Sequence, residues 1–236
     1  MKPTLKLFLR RNDYRCNFVF GLMNFNQVNF DLFVEYSLCG MQVARLEVPE
    51  VKVLPMLVVQ EKKQIYHYES QDKVLDALRK MRLLTRGMTQ GVWEKQTCEW
   101  IRTEVIPCFE VMTSALSWHL SDSYINSGVL NARSGDYFSG LMTVLKDAIG
   151  LQIAHRHNLF KSKRTAYSQF SKCIEDWELR LGSQSFHGGD QPDQADFLMF
   201  AVLGCYQMKM KAMLREHIRT QLWQERLVKL VDTNQA

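Results

Sequence analysis

Residues 51–84, VKVLPMLVVQEKKQIYHYESQDKVLDALRKMRLL, decide how this chain folds. The apolar run at 51–59 is a strand candidate, but Pro55 falls inside it. Proline cannot donate to a ladder, so it is excluded from the middle of a central strand. It is tolerated just ahead of one, and in the cis form it makes a tight turn there. The strand should therefore start after Pro55, behind a cis Leu54–Pro55 bond. Residues 64–68 carry β-formers and supply a second strand. Ser70 then stands where an N-cap belongs, with VLDALRKMRLL after it as an amphipathic helix. The segment predicts strand, strand, helix.

Working outward, TLKLFL at 4–9 is fit for a buried strand. Phe18, Val19, Leu22 and Met23 fall at helical spacing within 17–25, and FDLFVEY at 30–36 predicts another strand. The order is β-α-β, a connection, then β-β-α, which is the order of a thioredoxin fold with Pro55 at its cis-proline. From Gly91 onward the pattern is helical. Trp93, Cys98, Trp100, Ile101 and Val105 form one apolar stripe ahead of Pro107, and further helices are expected over 137–151, 167–181, 191–208 and 215–231. Two domains follow, 1–84 with mixed α+β structure and 91–236 all-helical.

Composition narrows the function. At 236 residues with 46% hydrophobic residues, the chain can bury a substantial core. Cys16, Cys39, Cys98, Cys108, Cys173 and Cys205 form no C-x-x-C pair, which points to buried thiols in a reducing compartment and not to a disulfide framework. The net charge of +5 is concentrated in the front: residues 1–84 carry 13 Lys/Arg against 9 Asp/Glu, the remainder 17 against 16. No nucleic-acid motif accompanies this excess, so a solvated basic face is expected and a nucleic-acid partner is not. No run approaches the roughly 18 apolar residues of a membrane span. The basic, acid-poor start resembles a weak organelle-targeting segment but also fits the first strand, and the strand is preferred because the fold needs it. His155 and His157 fall on different helical faces, and Cys98 and Cys108 are irregularly spaced, so no metal site is expected. Met208, Met210 and Met213 suit a core or an interface.

One local signal is sharper. In GGDQPDQADFLMFAVL at 188–203, Asp193 precedes an apolar helix and Asp196 follows three residues later, a capping box with acid at the positive end of the dipole. Leu54-Pro55 before a strand, Glu69-Ser70 before a helix, and Pro192 to Asp196 before a core helix together resemble the landmarks of glutathione transferases. The likeness is greatest to the branch of membrane-associated prostaglandin E synthase type 2. It is carried by KVLPMLVVQE, a helix bounded by Trp93 and Trp100, AYSQFSKCIEDWELRLG and FHGGDQPDQADFLMFAVLG, and it spans about residues 4–225.

The resemblance implies a glutathione site, with a C-P-x-C motif whose first thiol reacts. Here that stretch is Asp13-Tyr14-Arg15-Cys16: Asp13 replaces the first Cys, Tyr14 the proline, and Cys16 stands at the second, more buried position. Cys16 and Tyr14 are the remaining candidates for catalysis. Leu54, Pro55, Glu69 and Ser70 would form a vestigial glutathione site, with the spacing from Ser70 to Val74 one residue longer than the family pattern. The family's membrane-anchoring segment has no counterpart. These departures imply a non-catalytic accessory subunit without a cofactor. Its partners would be other protein subunits in a homo- or hetero-oligomer, such as a mitochondrial respiratory or ribosomal assembly; otherwise it would be cytoplasmic. The alternative is a glutathione-dependent isomerase or transferase.

Overall fold

Strand β1 (Thr4–Arg10) buries Leu5, Leu7, Phe8 and Leu9 and lies in the interior of a four-stranded sheet. The computed structural model describes residues 3–10, 12–35, 37–38, 41–42, 53–62, 64–87, 91–113, 163–205 and 207–232. Helix α1 (Tyr14–Phe25) returns the chain to β2 (Asp31–Glu35), which pairs parallel to β1. A two-residue-stranded hairpin follows, β3 (Ser37–Leu38) and β4 (Met41–Gln42). Strands β5 (Met56–Glu61) and β6 (Gln64–Glu69) complete the sheet in the order β2-β1-β5-β6, with β5 antiparallel to both neighbours. Helix α2 (Gln71–Lys80) closes this half by burying Val74, Leu75, Ala77 and Leu78. The Leu54–Pro55 bond is cis, ahead of β5 as its sequence position predicts.

The second half is helical. Helix α3 (Val92–Trp100) runs into a π-helical turn (Ile101–Val105) and on into α4 (Ile106–Thr113). Pro107 is the second residue of α4 and does not end the helix. It lacks the N–H that a regular turn would offer to the Thr103 carbonyl, and the wide turn lies where that bond is missing. Helices α5 (Lys163–Leu181), α6 (Gln194–Leu203), α7 (Gln207–Met213) and α8 (Ile218–Asp232) follow, with a short 3-10 turn at Leu214–Glu216. Among the described residues no helix is long and apolar enough to cross a membrane.

The two halves share one core. Helix α6 buries nearly all of its length, and Phe197 packs against Phe25 of α1 with ring centroids 5.0 Å apart. Asn17 of α1 donates to the Ala201 carbonyl of α6 at 3.3 Å. Asn26, at the end of α1, accepts from the Thr85 and Arg86 N–H groups at 2.9 and 2.8 Å and so clasps the linker between the halves.

Three expectations are corrected. Helix α1 starts at Tyr14, three residues early, because the Asp13 carboxylate accepts from the Arg15 N–H at 2.9 Å and caps it. Ser70 stands at the start of α2, but its side chain makes no capping bond; its backbone has φ 80°, and its N–H donates to the Pro55 carbonyl at 3.0 Å. Trp93 belongs to the α3 stripe by spacing yet is 54% exposed, whereas Cys98, Ile101 and Val105 are buried. The helix expected over 137–151, with His155 and His157, lies outside the described residues, as do Cys39 and the side chain of Met208.

Candidate functional site

The N-termini of α1 and α2, the turn before Pro55 and one face of the α3–α4 helix converge on a cleft of ≈ 340 Å³. Tyr14 and Arg15 come from α1, Leu54 from the turn, Ser70 and Asp72 from α2, and Arg102 from the π-helical turn. Each half of the chain thus supplies a wall, and two positive helix ends point toward one space.

Of the residues singled out in the sequence, the cleft gathers Tyr14, Leu54 and Ser70. Pro55 is buried behind Leu54, and Glu69 is half-buried at the end of β6, outside the cleft wall. Cys16 is fully buried below it. Burial pushes the Cys16 thiol up to about 12, the nearby Asp13 charge adds to that, and the Arg10 N–H on the sulfur at 3.2 Å only partly offsets it. The thiolate, the nucleophilic form, is therefore withheld near neutral pH. Tyr14 is raised too, chiefly by burial, against the Arg15 guanidinium that donates to its hydroxyl at 3.2 Å. Asp13 already satisfies the α1 N-terminus that would otherwise stabilise an incoming anion. Arg15 reaches across to Glu110 of α4 at 3.8 Å, an exposed pair of small energetic weight. Arg15, Asp72 and Arg102 were missed in the sequence, because charged residues at helix starts are common and only the fold brings these three together.

Asp193 and Asp196 stand elsewhere, in a buried polar network at the start of α6. The capping box is complete: Asp193 accepts from the Asp196 N–H at 3.0 Å, and Asp196 from the Asp193 N–H at 2.9 Å. Asp196 also accepts from the His187 N–H and from the Trp223 indole of α8 at 2.9 and 2.7 Å. Burial and the neighbouring Asp193 push its carboxyl up to about 6, while these donors pull the other way. The His187 ring joins Asp193 at 2.6 Å through Nδ1 and the Thr97 hydroxyl of α3 at 3.0 Å through Nε2. Hydroxyl, imidazole and carboxylate in line resemble a catalytic triad, but Thr97 has no exposed surface and no substrate could reach its oxygen. The network is structural. Glu94 adds to it, accepting from the Gln194 N–H at 3.2 Å. The sequence motif exposed Asp193 and Asp196 but not Thr97, His187 or Glu94, which have no periodic signature.

No protein-family model matches the chain, and no curated protein does. Solved structures do. A beta-etherase, LigF, from Sphingobium sp. strain SYK-6 superposes with a TM-score of 0.62 at 8% identity over 98% of each chain. Human glutathione-S-transferase T1-1 in its apo form gives 0.54 at 14% identity, over 96% of this chain and 84% of that one. Maleylacetoacetate isomerase from Anaeromyxobacter dehalogenans 2CP-1, solved with bound GSH in its active site, gives 0.51 at 12% identity over 99% and 95%. At these identities the likeness establishes the fold: a thioredoxin-like N-terminal domain followed by a helical domain of the glutathione-transferase type.

Proposed function

We propose that this protein is a non-catalytic member of the glutathione-transferase fold that acts through protein surfaces, as an accessory subunit of a larger assembly. The observation that carries the reading is the start of α1. There an exposed thiolate would react; instead Asp13 caps the helix, and the one nearby thiol, Cys16, is fully buried and held up to about 12. Tyr14 is no substitute, since a phenol raised above its ordinary value supplies little phenolate. The capping box and the turn at Pro55, which the fold itself requires, are intact. The resemblance of the sequence to the prostaglandin E synthase type 2 branch favours a mitochondrial assembly over a cytoplasmic one.

A second reading is favoured by the cleft itself, which keeps a volume of ≈ 340 Å³ and two arginines, Arg15 and Arg102. Under it the protein is a glutathione-dependent isomerase or transferase. Isothermal calorimetry with millimolar glutathione separates the two. The accessory reading expects no saturable heat, and no glutathione-dependent turnover of an electrophilic substrate. A dissociation constant in the low micromolar range, or turnover lost in Cys16→Ser, overturns it.

A further inference from the structure

A second cleft, of ≈ 560 Å³, opens between the start of α3 and the loop joining α5 to α6. It is separate from the cleft at the start of α1, and its walls hold Gly91, Trp93, Arg180, His187 and Gly189. We propose that this cleft binds an aromatic carboxylate, with Arg180 taking the carboxylate and Trp93 flanking the ring.

Arg180 carries the argument. Its guanidinium lies 4.3 Å from the Trp100 ring centroid and 5.6 Å from that of Trp93, and Nη1 donates to the Thr97 hydroxyl at 3.3 Å. Among the described residues no carboxylate lies within ion-pair distance of it. Among the described residues one of its five N–H donors is spent, which leaves others for a planar, two-oxygen acceptor such as a carboxylate. Trp93 leaves more than half its surface in solvent, although its ring is stacked within 8° of the His187 plane. A half-bare indole beside a half-buried arginine matches a flat apolar group that carries an anion.

The acids in the wall, Glu94 and Asp193, are buried and accept hydrogen bonds from the first turn of α6. Asp193 is turned inward to His187 and the Asp196 N–H, and Glu94 to the Gln194 N–H, so these charges face the positive end of α6. The same network holds the cleft in shape. Arg180 is anchored on Thr97, Thr97 on His187 and His187 on Asp193. The loop is pressed onto the cap, since a Cβ on Gly188 would stand 2.4 Å from the Gln191 carbonyl. A cleft of this size, in which Arg180, Ser183, Gln184 and His187 stand beside the apolar side chains of Trp93 and Leu181, has room for a small molecule whose charged end those polar groups fix.

The test is titration of the full-length protein with benzoate and with N-acetylphenylalaninate, following tryptophan fluorescence and the Trp93 indole NMR signal. Benzyl alcohol is the uncharged control. Saturable shifts at Trp93 with either carboxylate and none with benzyl alcohol are expected; benzoate alone points to a metabolite, N-acetylphenylalaninate to a peptide C-terminus. Arg180→Gln should weaken binding by about tenfold or more. Because Arg180 also helps pack α3, a second variant is needed. Gly91, the N-cap of α3, has backbone angles an aspartate accepts and open space where its Cβ would lie. Gly91→Asp should raise the thermal midpoint by capping α3 yet weaken the carboxylate by placing a competing acid in the cleft. Equal binding of benzyl alcohol, no shift at Trp93, or unchanged affinity in both variants overturns the proposal.

Discussion

Cys16 shows how burial can silence a functional group while leaving the fold intact. Its thiol and that of Cys98 are both pushed by burial to about 12 from an ordinary value near 9. In native protein near neutral pH, alkylation of Cys16 should therefore be far slower than that of a free thiol; fast stoichiometric labelling, read by peptide mass spectrometry, would contradict this. The same shift has a consequence for stability. In the unfolded chain these thiols ionise above pH 9, and in the folded chain they do not until about 12. The folded state is thus unaffected below pH 9 and loses about 1.4 kcal/mol per thiol for each pH unit above it. Denaturant midpoints between pH 8 and 11 should fall, and fall less steeply in Cys16→Ala. Gly87 marks a different constraint. Its φ is +69°, and a Cβ there would come within 2.8 Å of the Phe197 ring. Gly87→Ala should cost roughly 2–4 kcal/mol, combining left-handed strain with overpacking of a buried ring, as equilibrium unfolding would show.

At the scale of elements, the start of α6 is where capping and buried electrostatics meet. Replacing Asp193 by Ala removes the cap and leaves the Nδ1 nitrogen of His187 facing an apolar methyl, which should cost about 2–4 kcal/mol. Asp193→Ser keeps an acceptor for the Asp196 N–H while losing the imidazole, so its loss should be smaller. Equal losses in the two variants would place the whole effect on His187. The capping box was legible in sequence because a cap is a local device, two acids three residues apart before an apolar run. The hairpin at β5 and β6 and the turn at Pro55 were legible for the same reason. Helix α1 begins three residues ahead of its apolar periodicity, because its start is set by the Asp13 cap, a polar signal that apolar spacing does not carry. The pair β3 and β4 was missed, as two-residue strands carry too few positions for alternation. Thr97, His187 and Arg180 were invisible: they sit up to 90 residues apart and meet only once α3, α5 and the loop before α6 have packed.

For the molecule as a whole, the decisive contact is between the domains. The sequence divides cleanly near residue 90, yet α1 of the sheet half and α6 of the helical half bury Phe25 and Phe197 against each other, and Asn26 clasps the linker. Neither face is polar enough to stand alone: α6 buries Phe197, Leu198, Met199, Ala201, Val202 and Leu203, and α1 buries Phe18, Val19, Leu22, Met23 and Phe25. Separating the halves would return much of this surface to water at about 25 cal/mol per Å². Exposing even a few such side chains costs several kcal/mol, comparable with the whole stability of a domain. The two halves should therefore unfold as one unit despite their different architectures. The sequence supplies the probes. All five tryptophans lie beyond residue 91, so their fluorescence reports only the helical half. Cys16, buried beneath β1, reports the sheet half through pulsed thiol labelling with the site assigned by mass spectrometry. In a denaturant series the two transitions should have the same midpoint and slope, and Gly87→Ala, at the seam, should shift both together. A Cys16 transition well below the tryptophan one would mean that the thioredoxin-like domain melts on a surviving helical partner, and that the α1–α6 contact is weaker than its burial implies.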